Sequence, residues 1–106
     1  MTTAIVAGTD PDGLGEALES EGANVVRITG IAAADSLDEA GIDEADLLVL
    51  TDMDDATAIS VAKERNPDVR VVTYAHDSLP EFAKGQADLA VDPDLLAVDV
   101  VAEELV

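Results

Sequence analysis

The chain has 106 residues, of which 24 are acidic and 5 are basic, giving a formal net charge of −19. This length fits one domain, residues 1–106, and a hydrophobic share of 48% argues against a disordered chain. The absence of cysteine excludes disulfides, thiolate metal sites and a cysteine nucleophile. No apolar run approaches the length of a membrane span, so we expect no membrane insertion and a cytoplasmic protein.

The acidic residues are scattered over the predicted loops and helix faces rather than gathered in one tail. This distribution is typical of a surface adapted to high salt, because acidic groups hold water and ions while salt screens their repulsion. We therefore predict a halophilic source. The alternative is that the charge binds a polyanion-seeking partner. No basic stripe is present to release counterions from phosphates, so we expect no binding to nucleic acid.

The pattern of apolar segments and turn residues predicts strands that alternate with helices. Strands are predicted at residues 3–7, 24–28, 47–50, 69–73 and 87–91. Helices are predicted from Leu14 to about Glu21, from Ser36 to Ala40, from Asp54 and Asp55 to Arg65, and from Ser78 to Lys84. A last helix is also predicted, and its inner face would carry Leu95, Val98, Val101, Ala102 and Leu105. The two short helices begin with the spacing of a capping box, and residues 31–34 fit either a strand extension or a loop.

Residues 47–50 are four consecutive large aliphatic residues, which predicts a strand covered on both faces. Strands and helices alternating at this pitch indicate a parallel sheet with right-handed crossovers. The simplest arrangement is a three-layer α/β/α sandwich with strand order 2-1-3-4-5, which is Rossmann-like or flavodoxin-like. Ligands of such sheets lie beyond the carboxyl ends of strands that leave toward opposite faces. We therefore expect a site between the turn after the first strand and Thr51-Asp52.

The turn after the first strand carries glycines that would let backbone N–H groups approach a phosphate. Its candidate cofactor-binding residues are Gly8, Thr9, Asp10, Gly13 and Gly15, which Thr51 and Asp52 would face. The alternative is a structural turn with an acidic rim, since the spacing is not G-x-G-x-x-G. Carboxylates are the ligands that Mg²⁺ prefers, so a candidate metal set is Asp10, Asp12 and Asp52. Asp52 could instead cap the following helix.

The single histidine, His76, is followed by Asp77 and Ser78. Three adjacent residues of one loop rarely adopt the geometry of a catalytic triad, so we interpret His76 as a surface residue. No nucleophile–base pair is visible in the sequence. We therefore assign no catalytic residue and favour a non-enzymatic function.

Three stretches of the chain resemble the nucleotide-binding half of a regulator-of-potassium-conductance (RCK) domain. They are AIVAGTDPDGLGEALESEGANVVRI, SLDEAGIDEADLLVLTDMDDATAISVAKERNPDVRVVTYA and GQADLAVDPDLLAVDVVAEEL. The resemblance implies a Rossmann-type module that holds NAD or an adenine nucleotide with a glycine loop and an acid after the second strand. Carried over, it points to Gly8, Gly13 and Gly15, with Thr29 at the position of the ribose-binding acid.

The chain also resembles the receiver domain of two-component signalling, which has the same strand order. In this resemblance Asp10 and Asp12 match the acidic pair, Asp52 the phosphoacceptor, Thr73 the switch hydroxyl and Asp92-Pro93 the Lys-Pro pair. The chain departs from the receiver pattern in two respects. An aspartate replaces the lysine that pairs with the phosphoryl group, and the segment from Asp52 to Thr73 is short for a receiver.

Two hypotheses for the function follow. The first is a non-catalytic regulatory or nucleotide-binding module similar to potassium-transport regulatory domains, with NAD, an adenine nucleotide and Mg²⁺ as candidate cofactors. The alternative is a degenerate receiver-like module that binds a protein partner or a second copy of itself without a ligand. The loop over residues 8–15 discriminates between them. Amides converging on an open pocket would favour the nucleotide, whereas acidic side chains filling it would favour protein interaction.

Overall fold

The computed structural model describes residues 2–52, 55–76 and 87–106. These residues form a parallel five-stranded sheet in the order β2-β1-β3-β4-β5, as the sequence predicts. The strands are β1 Thr3–Ala7, β2 Asn24–Ile28, β3 Leu47–Leu50, β4 Arg70–Tyr74 and β5 Leu89–Val91. The first three strands have the predicted bounds, whereas β4 is shifted by one residue and β5 is two residues shorter than predicted.

The helices cover both faces of the sheet, which confirms the predicted three-layer sandwich. They are α1 Leu14–Ser20, α2 Ala34–Ala40, α3 Ala58–Arg65 and α4 Val98–Leu105, with a short 3₁₀ turn at Ile42–Glu44. The hydrophobic core consists of two separate clusters. One lies between the sheet and the helices α2 and α3, and the other lies between the sheet and the helices α1 and α4. Among the described residues, none of the helices is long and apolar enough to cross a membrane.

The β3 strand lies at the centre of the sheet and is fully buried. Leu48 and Leu50 pack into the cluster on the α2 and α3 side, while Leu47 and Val49 pack into the cluster on the α1 and α4 side. Successive side chains of a strand point to opposite faces, so a central strand needs apolar residues at every position. This requirement explains the continuous aliphatic run.

The start of α2 differs from the prediction. The helix begins at Ala34, so the predicted capping box at Ser36 is wrong. The Ser36 hydroxyl lies inside the first turn and accepts a hydrogen bond from the Ala33 N–H at 2.9 Å. Gly41 ends the helix in the left-handed conformation, as expected for a residue at this position.

The starts of α3 and α4 also differ from the predictions. The α3 helix begins at Ala58, and Asp55 is instead a buried residue of the preceding turn that accepts a hydrogen bond from the Ala32 N–H at 3.1 Å. The α4 helix begins after Leu95, whose side chain is 79% exposed and not inward-facing as predicted. Asp54 and the predicted helix from Ser78 to Lys84 lie outside the described residues.

The short β5 strand is joined to its neighbours by Asp88. The Asp88 carboxylate accepts hydrogen bonds from Lys63 Nζ at 2.8 Å and from the Val71 N–H at 2.7 Å. These bonds to Lys63 and Val71 hold the pKa of the Asp88 carboxyl below its usual value. The side-chain contacts therefore connect α3, β4 and the start of β5 at the amino end of the sheet.

Candidate functional site at the carboxyl edge of the sheet

The exits of β1 and β3 lie side by side at the carboxyl edge of the sheet, because these two strands pair directly. The chain then turns to α1 on one face and to α3 on the other, which creates the predicted crevice. Thr51 joins the two exits. Its hydroxyl donates to the Ala7 carbonyl at 3.0 Å and accepts from the Asp10 N–H at 3.0 Å. Thr51 is buried, so this candidate residue supports the loop from beneath.

Gly8 packs directly against the exit of β3. Its φ of +101° lies in the region that favours glycine, and a Cβ atom there would collide with the Thr51 hydroxyl oxygen. The same Cβ would lie 3.1 Å from the Asp52 nitrogen. Gly8 is therefore required by the close approach of two strand exits, a requirement that exists without any ligand.

The Asp10 carboxylate occupies the first turn of α1. Its oxygens accept hydrogen bonds from the N–H groups of Leu14 and Gly15, each at 2.9 Å, and from Arg27 Nη1 at 3.2 Å. The Asp10 side chain is only 5% exposed. The backbone amides that the glycine loop was expected to offer to a phosphate thus already bind the chain's own carboxylate. Of the two outcomes foreseen for this loop, the structure has the acidic side chain filling the position.

Arg27 is a residue of this region to which the sequence analysis assigned no role. It lies on β2 and contacts both Asp10 and, at 3.7 Å, Glu19 of α1. A Cβ atom on Gly15 would approach the Arg27 guanidinium to 2.7 Å. Gly15 therefore makes room for an arginine side chain, whereas the sequence left open a phosphate-binding loop and a structural turn with an acidic rim. The signal in the sequence was a charged arginine among the apolar residues Val25, Val26 and Ile28 of one strand.

An open groove lies beside this loop, beyond the carboxyl ends of β1, β2 and β3. It has a volume of about 560 Å³ and is lined by Gly8, Thr9, Arg27, Ile28, Thr29, Gly30, Ile31, Asp52 and Asp55. Four of the predicted cofactor-binding residues therefore share the groove: Gly8, Thr9, Thr29 and Asp52. The others do not line it, since Asp10, Gly13 and Gly15 lie at the start of α1 and Thr51 is buried.

A second polar cluster lies at the exits of β4 and β5. His76 Nδ1 is 3.3 Å from Asp94 Oδ2 and 3.8 Å from Asp92 Oδ1, and its Nε2 is 3.8 Å from Asp12 Oδ2. The His76 side chain is 55% exposed, which agrees with its interpretation as a surface residue. Sequence reasoning did not foresee the three surrounding carboxylates, because they come from two distant loops.

The predicted metal set is not the one that the fold assembles. Among the residues that the structure describes, the only group of three metal-ligating side chains with donor atoms within 4.8 Å of one another is His76, Asp92 and Asp94. Asp10 is committed to α1 and Arg27, and Asp12 faces His76. The sequence had combined Asp10, Asp12 and Asp52 because all three follow strands that end at the same edge.

The pKa of the Tyr74 hydroxyl depends on the charges at this edge of the sheet. Burial raises the pKa of the Tyr74 hydroxyl, and the negative charges of nearby carboxylates raise it further: Asp12, Asp99, Asp10 and Asp92. The hydroxyl donates a hydrogen bond to the Leu96 carbonyl at 2.7 Å. The exits of β4 and β5 therefore lie in a negative field.

Solved structures with a similar fold include several response regulators. HP1043, an orphan response regulator of H. pylori, superposes with a TM-score of 0.75 at 14% identity, covering 98% of this chain and 92% of that one. The receiver domain of NtrC4 from Aquifex aeolicus gives 0.70 at 19% identity, covering 99% and 93%. A putative pilus assembly protein (cpaE) from Burkholderia thailandensis E264 gives 0.69 at 19% identity, covering 99% and 98%.

These similarities support the receiver-like resemblance and do not support the resemblance to RCK domains. At such identities they show the fold alone. No curated protein matches the chain by sequence. A family model, however, matches residues 4–105, nearly the whole chain. The chain therefore belongs to the family of unknown function DUF7126.

Proposed function

We propose that this protein is a receiver-like interaction module that works without accepting a phosphoryl group. The observation that carries the proposal is the Asp10 carboxylate, which binds two amides of α1 and the Arg27 guanidinium. In the receiver pattern this residue belongs to the acidic pair that holds Mg²⁺. A carboxylate that already accepts three internal hydrogen bonds is a poor ligand for a cation, because binding would break some of those bonds.

The position of the receiver lysine supports the same proposal. Asp92 stands there, and with Asp12 and Asp94 it forms a negative rim around His76. A phosphoryl group on Asp52 would add negative charge at an edge that lacks the matching lysine. The balance of charge therefore opposes phosphorylation.

An apolar groove between β5 and α4 is the surface through which we propose that the module binds a second copy of itself. It has a volume of about 300 Å³, and its partly exposed residues include Leu89, Leu96 and Val100. Arg70 and Glu104 also line it. Arg70 and Glu104 carry opposite charges, so a two-fold arrangement that pairs each Arg70 with the partner's glutamate would make the groove complementary in charge to its own copy.

Two measurements test the proposal. Incubation with acetyl phosphate and Mg²⁺ should give no phosphate adduct by mass spectrometry, and an adduct lost in Asp52→Asn would contradict the proposal.

Sedimentation velocity in molar potassium chloride should show a dimer that Val100→Lys dissociates. Ile31→Lys is the matched control, because Ile31 is 81% exposed beyond β2 and should leave the dimer intact. A monomeric wild-type protein would exclude self-association.

A second candidate function is nucleotide binding in the groove beside β2. The observation in its favour is that Gly8, Thr9, Thr29 and Asp52 line one cleft of about 560 Å³. Adding NAD, AMP or ATP separately at millimolar concentration should then raise the melting temperature, and Gly30→Trp should abolish the shift by filling the groove. If none of these nucleotides raises the melting temperature of the wild-type protein, this candidate is excluded.

A further inference from the structure

We propose that His76, Asp92 and Asp94 form a binding site for a divalent transition-metal ion, with Zn²⁺ as the representative ion. The imidazole Nδ1 lies 3.3 Å from the Asp94 carboxylate and 3.8 Å from that of Asp92. All three donor atoms fall within 4.8 Å of one another. The site lies at the exits of β4 and β5, away from the groove beside β2.

The distances from the His76 nitrogen to the two carboxylates are close to those that such an ion requires, and the two carboxylate oxygens lie within 4.8 Å of one another. Donor atoms about 2.0–2.2 Å from a tetrahedral ion are about 3.3–3.6 Å apart. The pair of His76 and Asp94 already has this separation at 3.3 Å, and the pair of His76 and Asp92 at 3.8 Å needs a shift of a few tenths of an ångström. All three side chains are partly exposed, so their rotamers can make this adjustment.

The backbone fixes the two segments that carry the donors. Tyr74 pairs with Val91 in the sheet, and the Ala75 N–H donates to the Val91 carbonyl at 3.3 Å. His76 and Asp92 follow these paired residues directly. The Tyr74 hydroxyl, bound to the Leu96 carbonyl at 2.7 Å, anchors the turn that carries Asp94. The site therefore requires little ordering of the main chain when an ion binds.

Asp12 completes the environment from the loop between β1 and α1. Its carboxylate lies 3.8 Å from His76 Nε2, the ring nitrogen that faces away from the other two acids. Histidines that bind a metal commonly give their second N–H to a carboxylate, which fixes the tautomer and the ring orientation. At 3.8 Å the Asp12 carboxylate is beyond hydrogen-bonding distance, so it would orient the His76 ring only after the two groups move closer.

The imidazole decides which class of ion we propose. A purely carboxylate cluster would favour hard cations such as Mg²⁺ or Ca²⁺, whereas an imidazole nitrogen favours Zn²⁺, Co²⁺ or Ni²⁺. Within the described part of the chain, the only ion-pair partner of Asp12, Asp92 and Asp94 is His76. A bound cation would offset the negative charge that also raises the pKa of Tyr74.

The test is calorimetric titration with Zn²⁺ alone, and absorption spectroscopy with Co²⁺ alone, in molar potassium chloride, which screens diffuse attraction to the acidic surface. We expect one ion per chain, with a Kd below millimolar. His76→Gln and Asp94→Asn should each raise the Kd at least about 10-fold. Asp68→Asn is the matched control, because it removes the same charge from an exposed loop before β4 and should leave the Kd unchanged.

The signals of the single histidine ring give an independent readout by NMR, and they should shift on adding Zn²⁺ but not Mg²⁺. Absence of Zn²⁺ binding at millimolar concentration would overturn the proposal. An unchanged Kd for Zn²⁺ in His76→Gln would also overturn it. The same holds if Asp68→Asn raises the Kd as much as Asp94→Asn does. Circular dichroism of each variant checks that its fold is retained.

Discussion

Two pairs of strand exits lie along the same edge of the sheet: those of β1 and β3, and those of β4 and β5. The acidic residues of the two pairs differ in burial and in their hydrogen-bond partners. At the first pair, the Asp10 carboxylate is 5% exposed and binds two backbone amides and Arg27. At the second pair, Asp92 and Asp94 are exposed carboxylates grouped around a histidine. The amides at the start of α1 are therefore occupied by the chain's own carboxylate, while the groove beside β2 stays open. The carboxylates around His76, at the exits of β4 and β5, have no lysine or arginine partner among the described residues.

This difference shows how an acidic residue in a glycine-rich turn should be interpreted. A carboxylate next to the start of a helix can accept hydrogen bonds from the N–H groups of the first turn. These are the same N–H groups that would otherwise hold a phosphate. Glycines in such a turn then serve the packing of the chain, as Gly8 does against Thr51 and Gly15 does against Arg27. A nearby acid and a basic residue on the adjacent strand together predict a closed turn.

The largest expected effect comes from Gly8→Ala at the exits of β1 and β3. Left-handed strain costs about 1–2 kcal/mol, and forced contact with Thr51 about 1–3 kcal/mol more, so we expect a loss of about 2–5 kcal/mol in the free energy of unfolding. Gly13→Ala is the control, because it has a positive φ but open space, and it should lose only the strain. Urea denaturation at constant salt measures both, and equal losses would contradict the close packing.

A smaller effect is expected from Asp10→Ala, which should lower the free energy of unfolding by about 1–2 kcal/mol because the start of α1 loses its acceptor. Asp10→Asn keeps one acceptor oxygen and should lose less. Asp12→Ala in the same loop is the control and should change stability by less than about 0.5 kcal/mol. If Asp12→Ala and Asp10→Ala lost the same stability, the two pairs of exits would not differ as described.

The smallest effect is a shift in the ionisation of Tyr74, the single tyrosine, at the exits of β4 and β5. Burial and then the nearby acids raise its pKa, so the folded chain keeps the phenol proton to higher pH than the unfolded chain does. The free energy of unfolding should therefore fall as pH rises between the unfolded value, about 10, and the higher folded value. Ultraviolet absorbance of the phenolate measures the folded pKa directly.

Molar salt and Asp12→Asn should each lower the pKa of Tyr74, because both weaken the negative field at the hydroxyl. Asp68→Asn should leave it unchanged. A folded pKa at or below that of free tyrosine would mean that the edge is not negative, and the contrast between the two pairs of exits would fail.

The sequence by itself determined the architecture, because the information for it is local. The aliphatic run at Leu47–Leu50 required a strand covered on both faces, and the turn residues between apolar segments set the bounds of β1 and β2. Alternating strands and helices then left 2-1-3-4-5 as the simplest strand order. The start of α2 was wrong because the Ser36 hydroxyl bonds from within the first turn, a choice that the residue spacing does not reveal.

Only the tertiary structure decided what each acidic residue does. Asp10 meets Arg27 across 17 positions of sequence, Asp55 meets Ala32 across 23, and His76 meets Asp94 across 18. A carboxylate has the same chemistry at all of these positions. Its role depends on which donors the register of the sheet brings within hydrogen-bonding distance, and that distance is set by packing between segments far apart in the chain.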